Sequence, residues 1–295
     1  MKNIAVIFGG NSEEREVSIH TGLSVIEALK DDYKVTSIDL GEDYTNLHKK
    51  LIDIDLVFIA LHGGYGEDGR IQKYLDKYKI KYTGSRYKAS SVAMDKNMTK
   101  LIAQENNIPV LNWEMINKKN KYSTKNLSFP LIIKPNNGGS TIGIYYVENI
   151  NEFNSCVSKA FSFSEKLMIE QYIKAREISI PILDGQALPI IEIRPSGFLY
   201  DYNSKYKTNG SKYIVPAQIP DKLVRSISND GLLLYKKLKC RHYVRIDFLL
   251  QDDKYYLLEV NTLPGLTSTS LLPKSSASIG ITYKKLIKKI IDLAI

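Results

Sequence analysis

The chain has only two cysteines among 295 residues, Cys156 and Cys240. Two isolated cysteines supply neither a disulfide framework nor metal-ligand spacing, so we expect a reduced, cytoplasmic setting and packing roles for both. No apolar run approaches the roughly 20 residues that span a bilayer. Residues 3–8 predict a strand and show no signal-peptide pattern. These absences exclude secreted disulfide-rich and transmembrane classes, and we expect no membrane partner.

The net charge of +9 is spread along the chain rather than concentrated in one segment. Lysines between 284 and 289 alternate with leucine and isoleucine, which is typical of an amphipathic helix with a solvated face. A nucleic-acid-binding protein would need clustered basic and exposed aromatic residues in a recognised module, and the 20 tyrosines are scattered. We therefore expect no nucleic-acid partner, whereas the positive charge suits an anionic small molecule.

The first ninety residues predict βαβ units and a parallel sheet. Strands and helices alternate at 3–8, 18–30, 35–39, 55–61 and 70–78. Two glycine-rich loops, 9–16 and 62–69, follow the first and third strands. The carboxyl ends of parallel strands are where such sheets bind ligands. Neither loop fits GxGxxG or the P-loop, so neither is a phosphate fingerprint.

The rest of the chain mixes helices and strands, which makes the fold class α/β. Helices are predicted at 95–106, 151–161 and 221–239, and strands at 110–116, 130–134, 144–147, 167–172 and within 178–193. Residues 196–216 are rich in Tyr, Lys, Asn and Gly and have no clear period. A loop of this length is typical of a functional lid or of disorder.

A hairpin near residue 250 carries the most informative pattern. Arg245-Ile246-Asp247 is followed twelve residues after the aspartate by Glu259-Val260-Asn261. With a three-residue loop at 252–254, Asp247 pairs with Glu259 and Arg245 with Asn261, while Phe248 pairs with Leu258 and Leu250 with Tyr256 on an apolar face. A two-residue loop would shift the register by one and mix the faces. Two carboxylates and an amide on one face suit Mg²⁺, although a solvated hairpin end with an ordinary ion pair is the alternative.

A second glycine-rich segment lies between two predicted strands, at residues 134–143. Lys134 precedes the glycines at a strand end, which excludes a P-loop, where the lysine follows them and a helix begins. Glycines allow the backbone to fold over phosphates, and Ser140 and Thr141 add hydroxyls. An ordinary glycine-rich turn is the alternative. The run Glu170-Gln171-Tyr172-Ile173 could likewise be a purine-binding strand edge or a buried strand.

Together these elements resemble the ATP-grasp fold and, within it, the D-alanine–D-alanine ligases. The resemblance covers essentially the whole chain, on the motifs GGNSEEREVS (9–18), LHGGYGEDG (61–69), YTGS (82–85), AMDK (93–96), KPNNGGSTIG (134–143), YDYNSKY (200–206), RIDF (245–248) and EVNTLPGLTSTS (259–270). It implies three domains, at 1–95, 96–175 and 176–295, with residues 196–216 as a lid. It also implies that ATP phosphorylates one D-alanine and that a second attacks the acyl phosphate, for peptidoglycan precursor synthesis.

The resemblance also implies roles for individual residues. The catalytic and substrate-binding residues would be Glu14, His62, Ser140, Tyr206, Arg245, Gly265, Ser270 and Leu271. The ATP-binding residues would be Lys96, Lys134, Gly139, Ser140, Thr141, Glu170, Tyr172, Ile173, Glu177 and Lys205. Asp247, Glu259 and Asn261 would bind two Mg²⁺ ions, for which Mn²⁺ can substitute. Arg245 and the Gly265 N–H would form an oxyanion hole.

Tyr206 in the lid is typical of the dipeptide-forming branch and favours an amine nucleophile over a hydroxyl. Gly138 and Tyr172 depart from the family, which often has an acidic residue and a tryptophan or lysine there. A D-alanine–D-lactate ligase, another ATP-grasp carboxylate–amine ligase and an inactive nucleotide-binding sensor are the rival hypotheses. The relatives are usually homodimers. The sequence leaves open the general base for the second amine and a monovalent-cation requirement.

Overall fold

The computed structural model of the chain describes residues 1–41, 43–119, 127–139, 141–195 and 211–295. Ser140, Lys205 and Tyr206, which the sequence predicts for the site, lie outside the described residues. The predicted α/β class is confirmed, with three separate sheets among these described residues. No described helix has the length and apolar character needed to cross a membrane.

The first sheet is parallel and has the strand order β2-β1-β3. Its strands are β1 (Asn3–Gly9), β2 (Lys34–Leu40) and β3 (Leu56–Ile59). The helices of this region are α1 (Arg15–Leu29), α2 (Leu47–Lys50), α3 (Gly64–Glu67), α4 (Arg70–Lys77) and α5 (Tyr87–Met94). Because the strands run parallel, the two glycine-rich loops emerge at the same edge, as predicted.

The second sheet is antiparallel and has the order β4-β7-β5-β6. It follows helix α6 (Lys96–Glu105), and its elements are β4 (Trp113–Asn117), β5 (Leu131–Pro135), β6 (Tyr145–Val147), α7 (Ile150–Ala160) and β7 (Lys166–Gln171). Leu131, Ile133 and Ile169 face a core beneath α7. The alternate residues Lys134 and Glu170 therefore face the opposite side of the sheet.

The third sheet contains the predicted hairpin. Its elements are β8 (Arg176–Leu183), β9 (Gln186–Ala187), β10 (Ile191–Pro195), β11 (Ser211–Ile214), α8 (Asp221–Lys237), β12 (Tyr243–Gln251) and β13 (Lys254–Asn261). The sheet order is β11-β10-β8-β12-β13. Loop structure was predicted throughout 196–216, whereas residues 211–214 form β11 paired with β10.

Two helices complete the chain, α9 (Leu271–Ser278) and α10 (Tyr283–Asp292). The amphipathic pattern of α10 is confirmed, because Leu286, Ile287, Ile290 and Ile291 are fully buried. They pack into the hydrophobic core of the first sheet, although α10 lies more than two hundred residues away in sequence.

The hairpin register agrees with the prediction only at its polar end. Arg245 pairs with Asn261 and Asp247 with Glu259, as predicted. The predicted three-residue turn is wrong, because Gln251 pairs with Lys254 and only two residues form the loop. As a result, Phe248 pairs with Leu257 and Leu250 pairs with Tyr255. A β-bulge between Asp247 and Phe248 absorbs the one-residue shift. Asp252 takes a left-handed φ of 53°, which aspartate tolerates in a tight turn.

Candidate functional site

A cavity of about 850 Å³ lies between the second and third sheets. Its walls combine apolar side chains such as Ile132, Ile144 and Leu249 with a few charged groups. Each described residue predicted for ATP lines it: Lys96, Lys134, Gly139, Thr141, Glu170, Tyr172, Ile173 and Glu177. This mixture of apolar walls and few polar groups is typical of a site for a small organic ligand.

The bulge in β13 shapes one wall of this cavity. Leu257 and Val260 face the core, and the extra residue leaves Leu258 and Glu259 adjacent on the other side. Both Leu258 and Glu259 line the cavity. The bulge thus places an apolar side chain and a carboxylate side by side, which strict alternation would forbid.

The glycine-rich segment folds over one end of the cavity. The Lys96 ammonium donates to the Gly138 carbonyl at 2.6 Å, and the Asn97 N–H donates to the Asn136 side chain at 3.0 Å. Gly138 has a φ of 139°, with open space where a Cβ would stand. The backbone conformation rather than crowding therefore favours glycine at 138.

Buried charges form the floor of the cavity. The Lys134 ammonium lies 2.6 Å from Glu170 Oε2, and the Lys100 ammonium pairs with Glu170 Oε1. All three residues are at most 3% exposed. Burial by itself raises the pKa of Glu170, but the two lysines outweigh it, and the pKa lies below its usual range. Glu170 is therefore ionised, and its predicted contact with adenine is not through a free carboxylate.

The predicted metal ligands lie at the polar end of the hairpin. Asp247 accepts hydrogen bonds from Ser179 Oγ at 2.6 Å and from the Arg245 guanidinium at 2.8 Å. Asp247 is directly opposite Glu259, and Asn261 follows two residues later on the same face. The donors are carboxylate and amide oxygens, which are the groups that Mg²⁺ prefers, so the residues present fit this ion.

The loops of the first sheet contribute a second group. Ser12 Oγ donates to the His62 carbonyl at 2.5 Å, which ties the two loops together. Glu14 Oε2 lies 3.6 Å from the position that a Cβ on Gly139 would occupy. The Glu14 carboxylate is thus next to the glycine-rich segment of the second sheet.

His62 is held on both ring nitrogens. Nε2 lies 2.9 Å from Thr21 Oγ1, and Nδ1 lies 3.5 Å from Glu67 Oε1. Glu67 also lines a cavity of about 40 Å³ together with Lys96, Gly138, Gly139, Glu259 and Asn261. Residues from the regions of all three sheets therefore meet around this small cavity.

The predicted residues near α9 form a separate cluster. Ser270 Oγ accepts from the Thr267 N–H at 3.1 Å and lies 3.0 Å from the Cβ position of Gly265. Leu271 is the first residue of α9, so its N–H has no acceptor within the helix, while its side chain packs against Ile191 and Ile193. Gly265, Ser270 and Leu271 line neither of the two cavities.

Sequence reasoning missed three residues beside the site. Ser179 holds Asp247, Glu67 holds His62, and Lys100 pairs with Glu170. Lys100 could have been found, because it follows Lys96 by four residues on a predicted helix and so shares its face. Ser179 and Glu67 stand in unremarkable local patterns and gave no such signal.

Comparison with known proteins places the whole chain. The family model "D-ala D-ala ligase C-terminus" matches residues 102–292, and "D-ala D-ala ligase N-terminus" matches residues 3–50 and 42–85. A D-alanine–D-alanine ligase from Syntrophotalea carbinolica is 39% identical over 291 residues, covering 98% of this chain and 95% of the relative. D-alanine–D-alanine ligase A from Clostridium perfringens is 40% identical over 293 residues, covering 98% and 97%.

Solved structures agree with the sequence comparisons. The D-alanine–D-alanine ligase from Bacillus anthracis complexed with ATP superposes with a TM-score of 0.90 at 38% identity, covering 100% of this chain and 97% of that one. The VanG D-Ala:D-Ser ligase from Enterococcus faecalis gives a TM-score of 0.88 at 28% identity, covering 100% and 99%. The fold, the order of the motifs and these similarities agree, and the chain belongs to the D-alanine–D-alanine ligase family.

Proposed function

We propose that this chain joins two D-alanine molecules into D-alanyl-D-alanine, with ATP converted to ADP and phosphate, for peptidoglycan precursor synthesis. The family assignment supports this activity. The observation that carries the proposal is the small cavity where Glu67, the glycine-rich segment, Glu259 and Asn261 meet. It joins the nucleotide-sized cavity to the loops around Glu14, which is the arrangement that phosphoryl transfer to a small acid requires.

ATP occupies the cavity between the second and third sheets. Tyr172, Ile173 and the backbone near Glu170 hold adenine, while Glu177 contacts ribose. Lys96, Lys134, Gly139 and Thr141 contact the phosphates, with Ser140 and Lys205 joining them. The proposal is supported by the cavity lining, which brings every described member of this set together, and by the ATP complex of the Bacillus anthracis relative.

Asp247, Glu259 and Asn261 hold two Mg²⁺ ions, for which Mn²⁺ can substitute. Mg²⁺ bound by these residues would supply positive charge beside the phosphates of ATP. Arg245 and Ser179 hold the Asp247 carboxylate through both of its oxygens, which fixes the orientation of that ligand. The support is the chemistry of the donor set and its register on paired strands.

Two bond exchanges complete the reaction. A carboxylate oxygen of the first D-alanine attacks the terminal phosphorus and ADP leaves, giving an acyl phosphate. The amine of the second D-alanine then attacks the acyl carbon, and phosphate leaves as the peptide bond forms. Glu14 binds the ammonium of the first substrate, with His62 beside it, and Ser140 and Tyr206 order this site.

Four residues serve the second step. Arg245 and the Gly265 N–H stabilise charge on the acyl oxygen in the transition state. Ser270 and the Leu271 N–H bind the carboxylate of the second D-alanine. The start of α9 supports this role, because its first N–H groups have no acceptor within the helix and helix N-termini favour anions. We further propose that the three segments 1–95, 96–175 and 176–295 are the domains, that 196–216 acts as a lid, and that the enzyme is a cytoplasmic homodimer.

ATP-dependent phosphate release with Mg²⁺ tests the proposal. D-alanine alone should release phosphate with a quadratic dependence at low concentration, and D-alanyl-D-alanine should be the product. L-alanine should be inactive, and mixtures of D-alanine with D-lactate or D-serine should still yield mainly D-alanyl-D-alanine. Asp247→Asn should lower turnover about a hundredfold or more, because it removes a carboxylate that would hold Mg²⁺ beside the phosphates.

A mixed product from D-alanine and D-serine would instead favour the D-Ala:D-Ser ligase activity of the Enterococcus faecalis relative. Absence of phosphate release from folded protein that still binds ATP would contradict the proposed substrate while leaving the nucleotide site intact.

A further inference from the structure

Lys100 is a buried cation that the chemistry above does not use. It lies one helical turn after Lys96 on α6, and its side chain is 1% exposed. The ammonium pairs with Glu170 Oε1, lies 3.4 Å from the Leu257 carbonyl and stands 5.5 Å from the centre of the Trp113 ring. These three contacts come from β7, β13 and β4, so Lys100 joins the second and third sheets behind the nucleotide cavity.

A lysine this deep needs a reason, because burying an ammonium is expensive and an apolar side chain of similar volume would pack there more cheaply. Burial is the main cause that lowers the pKa of Lys100, and Glu170 opposes the shift. Glu170 does not by itself explain Lys100, since Lys134 already neutralises the same carboxylate through its other oxygen. Lys100 therefore adds one positive charge to the pair that Lys134 and Glu170 form.

The count of charges shows what Lys100 adds. With Lys134 and Glu170 alone, the floor of the cavity would be a neutral ion pair, and the Lys134 ammonium would be committed to the carboxylate. With Lys100 on Oε1, one positive charge remains, and it faces the cavity through Lys134, because Lys134 and Glu170 line it whereas Lys100 does not.

We propose that Lys100 is a positioning residue for nucleotide binding, which neutralises Glu170 so that Lys134 presents its charge to the phosphates of ATP. The proposal rests on the proposed role of Lys134 as a phosphate contact. It assigns to Lys100 no contact with substrate. The effect travels through Glu170, whose carboxylate lies between the two ammonium groups.

A charge cycle tests this role. Lys100→Met keeps the length of the side chain and leaves the floor neutral. Lys100→Met combined with Glu170→Gln removes one charge of each sign, so Lys134 again supplies one net positive charge. We expect the single variant to bind ATP about tenfold more weakly, a change of about 1.4 kcal/mol, because Lys134 no longer presents a net charge to the phosphates. The double variant should recover most of that loss.

The measurement is calorimetric binding of ATP and of adenosine, without D-alanine and at fixed Mg²⁺. Adenosine lacks phosphates, so its affinity should change less than twofold in Lys100→Met. Lys100→Arg retains the charge and should bind ATP better than Lys100→Met. Lys222→Met, on the exposed face of α8, removes the same charge from the surface and should bind ATP as the wild type does.

Equal losses of ATP and adenosine affinity in Lys100→Met would overturn the proposal, since a merely structural residue would distort the whole cavity. A double variant that folds but binds ATP no better than Lys100→Met would also overturn it. If the double variant does not fold, Lys100→Arg decides, and ATP affinity as poor as that of Lys100→Met counts against the charge. Failure of D-alanine to support turnover would contradict the proposed substrate without altering these nucleotide affinities.

Discussion

Two carboxylates of the nucleotide cavity each lie between two cations, but in different surroundings. Glu170 lies between Lys100 and Lys134, whose side chains are 1% and 3% exposed. Glu192 lies between Arg176 and Arg194, with closest distances of 2.7 Å to each and guanidinium side chains 41% and 53% exposed. The arrangement of charges is the same, whereas access to water differs sharply.

The difference teaches which charges the fold depends on. Burial raises the pKa of both carboxyls, but the neighbouring cations lower it by more, so both pKa values lie below the usual range. Removing Glu192 leaves two arginines that water already solvates. Removing Glu170 leaves two ammonium groups buried without compensation, and that penalty is large. Each guanidinium group of the open cluster binds the Glu192 carboxylate through two hydrogen bonds, as the planar arginine side chain allows.

The most direct way to break the comparison is a matched pair of substitutions. We expect Glu170→Gln to lower the free energy of unfolding by about 3–5 kcal/mol, the range for an uncompensated buried charge. Glu192→Gln should lower it by about 1 kcal/mol, as for exposed pairs. Urea unfolding at pH 7.5 measures both. Equal losses would show that the solvent exposure of the cations does not govern the two clusters.

His242 extends the comparison to a buried group that lacks a sufficient opposite charge. His242 is 9% exposed, and its Nδ1 accepts the Gly84 N–H at 3.1 Å. Burial and Arg241 lower the pKa of His242 to about 4; Asp184 opposes this shift, and Arg86 adds to it. The unfolded chain binds this proton near pH 6.5, so stability is lost as the pH falls from about 6.5 towards 4. We expect a loss of about 2 kcal/mol between pH 7.5 and 5.0 from this group.

His242→Asn provides the control for that loss. Its amide oxygen can accept the Gly84 N–H, and asparagine tolerates the left-handed φ of 62° at this position. Urea unfolding of both proteins at the two pH values isolates the contribution of His242 to the loss of stability, because the remaining titratable groups are the same in each protein. A variant as acid-sensitive as the wild type would contradict the assignment.

A change in salt concentration should have the smallest effect on the free energy of unfolding, and it should affect the Glu192 and Glu170 variants differently. Raising NaCl from 0.05 to 0.5 M screens exposed charges. The loss caused by Glu192→Gln should therefore shrink by a few tenths of a kcal/mol, while the loss caused by Glu170→Gln stays constant. Urea unfolding of the two variants and the wild type at both salt concentrations measures this change. A parallel decrease in both variants would contradict the buried character of the lysine cluster.

Much of the fold was predictable from two patterns: strands that alternate with helices in the first ninety residues, and polar and apolar residues that alternate along the hairpin strands. The parallel first sheet, the Lys134 hairpin and the Asp247–Glu259 pair all follow from local patterns. The hairpin turn was mispredicted because residues 255–258 are all apolar or aromatic and carry no alternation, so a bulge cannot be distinguished from a longer turn. Strand β11 was missed because its short run Ser211–Ile214 owes its structure to pairing with β10.

The candidate site was predictable wherever a motif holds its residues close together in sequence. The structure brings Lys96, Lys134, Gly139 and Glu259 to two cavities that share lining residues. The contacts that hold those residues were harder to predict from the sequence, because their partners are far apart along the chain. Ser179 and Asp247 are separated by 68 residues, and Lys134 and Glu170 by 36. Such contacts depend on how sheets stack, which no local pattern records.

The packing of α10 has a consequence for the order in which the protein matures during synthesis. Strand β1 is translated first, yet its core includes Leu286, Ile287, Ile290 and Ile291. The second sheet closes its core with residues between 116 and 169. Although domains generally fold from the N-terminus as they leave the ribosome, the core of the first sheet is complete only once α10 has been synthesised.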